Sequence, residues 1–148
     1  MSKSMAWRDV QLGNTLCQQD QIIIDLFQDQ RVRYIGNDSN FSKHLNCHDI
    51  ASNLVLVINE PIWISKILEI CKQHLTSDIN CFYLSINRYT VLGNDTNFIA
   101  HNLIDLLEKI VNACGFTIAQ SGRIDRDLGR YFNFVQPLTW IYGNHITN

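Results

Sequence analysis

Asn53-Leu54-Val55-Leu56-Val57-Ile58 opens the stretch that decides the fold, and Phe116-Thr117-Ile118-Ala119 closes it. Leu54 to Ile58 is an unbroken β-favouring run, the pattern of a strand covered on both faces by helices and so placed at a sheet centre. Pro61 can then occupy the first turn of a helix whose apolar face is Ile64, Ile67, Leu68, Cys71 and Leu75 and which ends near Thr76-Ser77. Cys81 to Ile86 predicts the next strand. Asp95 or Thr96 can cap a long helix with Phe98, Ile99, Leu103, Leu106, Leu107, Ile110 and Val111 on its apolar side, and Gly115 is placed to end it. Strands alternating with amphipathic helices predict a parallel sheet covered by helices.

Outward from this core the signals weaken. Arg31 to Ile35 alternates charged and apolar residues before Gly36-Asn37-Asp38, which supplies turn chemistry, so a first strand is expected there. Residues 31–36, 53–58 and 80–86 should form the sheet centre. Between Trp7 and Phe27 apolar residues recur at helical spacing with Gly13-Asn14 as an interruption, predicting two short helices or one broken one. Ser39 to Ser52 is polar and holds at most a short helix or a weak edge strand. Tyr131 to Val135 and Leu138 to Tyr142 are aromatic-rich strands separated by Pro137, which suits an antiparallel hairpin at the sheet edge. One domain over 1–148 is expected, with a helical segment at 1–30 and an α/β core at 31–148.

Composition bounds the function classes. Apolar residues make up 46% and charged residues 18% of the 148, too apolar for a disordered chain. A net charge of −2 offers no global field for nucleic acid or an acidic membrane. No apolar run approaches the roughly 20 residues of a membrane span. Five cysteines without CxxC spacing and no leader pattern read as reduced thiols of a cytoplasmic protein.

The parallel unit, the long helix, the Ala113-Cys114-Gly115-Phe116 junction and an antiparallel return strand together resemble the C-terminal half of class I S-adenosylmethionine-dependent methyltransferases. The resemblance implies a three-layer, Rossmann-like, mainly parallel sheet with an antiparallel C-terminal edge strand. Tyr34-Ile35-Gly36-Asn37-Asp38-Ser39 looks like the loop beneath the cofactor, with one glycine where that family has two or three and no preceding acid. Asn59-Glu60-Pro61-Ile62-Trp63 is similar to the Asn/Asp-Pro-Pro-aromatic motif that grips an amino group, with Glu60 in place of the first proline and Trp63 one residue late. The resemblance implies Gly36, Asn37 and Asn59 as cofactor contacts, Glu60 as catalytic acid or base and Trp63 as substrate contact. A strand end followed by a proline-started helix accounts for the same residues without chemistry.

Other constellations have plain readings beside the functional ones. His44, Cys47 and His48 form an H-x-x-C-H cluster, but no second pair has zinc spacing, so no metal is expected. Arg123, Arg126 and Arg130 could bind a phosphate or an acidic partner, with Asp125 and Asp127 as local counter-charges. Tyr131, Phe134, Trp140 and Tyr142 are candidate interface residues where they are not core.

The packing signals are complete from residue 53 onward, whereas the half that would bind a ligand is short and poor in glycine and acids. The resulting expectation is a non-catalytic methyltransferase-like domain, acting as a protein-binding adaptor, inhibitor or complex subunit with a protein partner or a second copy. The alternative is a small S-adenosylmethionine-dependent methyltransferase acting on an amino group. The first reading needs no cofactor; the second needs S-adenosylmethionine.

Overall fold

The computed structural model describes residues 18–36, 45–125 and 137–146. Its elements are α1 (Gln18–Phe27), β1 (Arg33–Ile35), β2 (Asn53–Ile58), β3 (Ile62–Trp63), α2 (Ile64–His74), β4 (Cys81–Asn87), β5 (Val91–Leu92), α3 (Thr96–His101), α4 (Leu103–Ala113), β6 (Phe116–Ile124) and β7 (Leu138–His145). The expectations for Trp7 to Leu16, Asn37, His44 and the strand over Tyr131 to Val135 lie outside the described residues.

Five strands form one sheet in the order β1-β2-β4-β7-β6. β1, β2 and β4 are parallel in register, Ile35 opposite Leu56 and Ile58 opposite Ile86. β7 runs antiparallel to both β4 and β6, so the fold is α/β with a mostly parallel sheet.

Alternation along β2 sends Leu54, Leu56 and Ile58 to one face, where Ile67 and Cys71 of α2, Ile99 of α3 and Leu103, Leu107 and Val111 of α4 complete a buried cluster. Val55, Val57 and Tyr83 belong to a second cluster with Ile23 and Phe27 of α1. Burying each aliphatic side chain of this kind contributes roughly 1.5–3 kcal/mol, which makes β2 and β4 the anchor of the fold.

Four expectations are corrected. Residues 31–36 do not lie at the sheet centre: β1 is outermost among the described strands, bordered only by a single parallel bridge from Val32 to Cys47. Its charged-apolar alternation leaves all three of its residues half-buried, which an outer position tolerates. The antiparallel strand is not at the edge. β7 is interior and β6 is outermost, because Pro137 precedes the first ladder residue and takes no donor from it. Gly143 permits the close fit, since a Cβ there would stand 1.9 Å from the Thr117 carbonyl oxygen.

Pro61 does not start a helix. The Ile62 N–H donates to the Thr90 carbonyl at 3.0 Å, and Ile62–Trp63 pairs with Val91–Leu92 before α2 begins. The predicted long helix is two helices. The Asp95 side chain caps the first by accepting from the Phe98 N–H at 3.0 Å, and Asn102 interrupts the run, its Nδ2 donating to the Phe98 carbonyl at 2.9 Å. Gly115, at φ 90°, ends the second as expected.

Candidate functional site

Because β1, β2 and β4 are parallel and in register, Gly36, Asn59 and Asn87 all leave the sheet at its carboxyl end, where open α/β sheets place ligands. The structure thus brings Gly36 and Asn59 to one edge; Asn37 lies outside the described residues. Glu60 is exposed and makes no hydrogen bond or ion pair among the described residues. Trp63 is 55% exposed on β3, beside β5.

The space beside Gly36 is already filled. A Cβ built there would lie 2.9 Å from the Tyr34 hydroxyl and 3.1 Å from its ring carbons. The absent side chain makes room for the chain's own tyrosine.

Sequence reasoning missed the charged clamp at the same end. Arg88, nearly buried, follows β4; its Nη1 donates to the Leu138 carbonyl at 3.1 Å, its Nη2 pairs with Asp125, and its backbone N–H donates to the Pro137 carbonyl at 3.1 Å. Asp125 is therefore a partner of Arg88. The Arg88 guanidinium also lies 5.2 Å from the Tyr89 ring centre. Tyr89 and Phe98 are 61% and 56% exposed and join Trp63 on the small unit made by β3, β5 and α3. A strand followed by a polar turn gave no local signal for this cluster.

Of the expected interface residues, Tyr131 and Phe134 lie outside the described residues. Trp140 and Tyr142 are half-buried on β7. Trp140 stacks on Tyr83 with ring centres 5.9 Å apart, and Tyr142 meets Phe27 edge-on at 5.4 Å. Burial and a hydrogen bond with Cys81 push the Tyr142 phenol up to about 12. Beneath this layer the Tyr83 hydroxyl donates to Oε1 of the buried Gln19 at 2.9 Å.

Three thiols, Cys47, Cys71 and Cys114, are shifted toward their neutral forms. Burial, then nearby Asp20, raises Cys47; burial, then Cys114, pushes Cys71 up to about 12; burial raises Cys114. None has the depressed value of a nucleophile. His48 Nε2 hydrogen-bonds Asn46 Oδ1 at 2.8 Å, and among the described residues no three His, Cys, Asp or Glu side chains gather around a metal position. No helix among them is long and apolar enough to cross a membrane.

At the amino end, an open cavity of about 710 Å³ is bounded by residues 29–31, Arg33, Asn46, residues 50–53 and Asp78. Asn53 Nδ2 donates to Gln30 Oε1 and the Arg31 carbonyl, both at 3.2 Å, and Asn46 Nδ2 donates to the Asp29 carbonyl at 3.1 Å, fixing the rim. Comparisons with protein-family models, curated proteins and solved structures return no match.

Proposed function

We propose that the chain is a methyltransferase-like, three-layer Rossmann-like domain that has no cofactor site and works by binding another protein, as an adaptor, inhibitor or complex subunit. The fold half of this reading is supported by the helices on opposite faces of the sheet and by the antiparallel return strand β7. The observation that carries the loss of chemistry is the Tyr34 ring beside Gly36. Folding requires the core residues; only catalysis requires an open glycine loop and acids. Exposed aromatic rings at the same end, Trp63, Tyr89 and Phe98, are the side chains that bury large area at low entropic cost in an interface.

The competing reading, amino-group methyl transfer, draws on the convergence of Gly36 and Asn59 at the carboxyl end, with Glu60 and Trp63 following Asn59. Mass in solution at several concentrations and recovery of bound proteins from a native lysate separate the two. A protein partner or a dimer is expected, with capture reduced about tenfold or more by Trp63→Ala or Tyr89→Ala at unchanged thermal stability. A monomer that captures nothing and transfers a methyl group from S-adenosylmethionine would reverse the ranking.

A further inference from the structure

The amino-end cavity is formed by four segments distant in sequence: the turn after α1, the start of β1, the loop before β2 and the turn after α2. At about 710 Å³ it has the size of a small-ligand site, roughly 300–1,000 Å³. Two arginines line it in different states. Arg31 is exposed and makes no ion pair among the described residues. Arg33 is held by Nη2 alone, 3.2 Å from the Ala51 carbonyl and 3.3 Å from Asp78 Oδ2, while its Nε is buried with no hydrogen-bond partner.

A buried N–H left unpaired is costly, and the Asp78 carboxylate that engages this guanidinium is 63% exposed, so the pair holding it is weak. An oxyanion with several acceptor oxygens can displace Asp78 and take both arginines through their forked donors. Gln28 and Asp29, where α1 ends, stand in the left-handed region at φ 51° and 62°, the ordinary exit of a helix, and this turn delivers Asp29 to the rim.

The rest of the wall narrows the ligand. Asp29 and Asp78 balance the arginines and oppose a polyanion such as nucleic acid, while Asn46, Ser52 and Asn53 supply hydrogen-bonding groups. No aromatic ring lines the cavity among the described residues, so a base has no stacking platform. We infer that this cavity binds a small phosphorylated polyol, of the sugar phosphate class, with the phosphate on Arg31 and Arg33 and the hydroxyls on Asp29 and the amides. This site lies at the opposite end of the sheet from the proposed protein-binding surface and does not depend on it.

The test is calorimetric titration of the full chain with glucose 6-phosphate, glucose and inorganic phosphate as separate probes. Saturable binding of glucose 6-phosphate is expected, with phosphate weaker by about tenfold and glucose not binding. Arg31→Gln should weaken glucose 6-phosphate by about tenfold or more, the loss of a charge-assisted contact. Asp78→Asn, which removes the competing carboxylate, should tighten it severalfold. Both residues are exposed, and thermal melts of the variants report their folding independently. No saturable binding at about 20 mM glucose 6-phosphate, equal binding of phosphate alone, or affinities unmoved by both substitutions would overturn the proposal.

Discussion

Each end of the sheet carries an arginine–aspartate pair, and the two pairs are built differently. At the carboxyl end the Arg88 side chain is 7% exposed and reaches Asp125, which is 78% exposed; at the amino end Arg33 and Asp78 are 27% and 63% exposed. Arg88 also binds the Leu138 carbonyl and so ties β4 to the start of β7. Arg33 borders an open cavity and leaves its buried Nε without a hydrogen bond. Among the described residues, the carboxyl-end arginine is spent on the fold's own groups, whereas the amino-end arginine faces open space.

Substitution should break this contrast in a definite order. Arg88→Ala removes a buried guanidinium, orphans a carbonyl and leaves a void, and should cost about 2–3 kcal/mol in denaturant unfolding. Asp125→Ala should cost much less, because its carboxylate faces water. Arg33→Ala should cost about 1 kcal/mol or less, as expected of a partly exposed pair. Equal losses at Arg33 and Arg88 would erase the distinction between the two ends.

Gly36→Ala tests whether Gly36 serves the chain or a ligand. The new methyl would meet only the far end of the Tyr34 side chain, which can move by a few tenths of an ångström, so a loss of about 0.5–1 kcal/mol is expected. Protein capture should be unchanged.

The smallest effect is electrostatic. Hydrogen bonds from Thr76, then from Arg33, hold the Asp78 carboxyl below its ordinary value of 3.8. A depressed folded value means stability that is present above the unfolded value and is lost as pH falls through the folded one. Unfolding midpoints measured downward from pH 5 should therefore fall more steeply for the native chain than for Asp78→Asn.

Much of the fold was legible in the sequence because it is encoded locally. The run from Leu54 to Ile58, the strand from Cys81 and the Asp95 cap each declare themselves within a few residues. Strand order is not local: whether Arg33–Ile35 or Leu138–His145 is outermost depends on pairings across the chain, and the sequence order misplaced both. Pro61 misled because the pairing of Ile62 with Thr90 and Val91, almost thirty residues away, decides its surroundings. The cavity was invisible for the same reason, since Asp29, Arg33, Asn53 and Asp78 meet only after the sheet assembles.

The domain is proposed to have no S-adenosylmethionine site at the carboxyl end of its sheet. Isothermal titration of the full chain with S-adenosylmethionine tests it most directly. No saturable heat is expected up to about 1 mM cofactor, a range that would reveal any affinity near −4 kcal/mol or better. Saturable heat abolished by Asn59→Ala would contradict it.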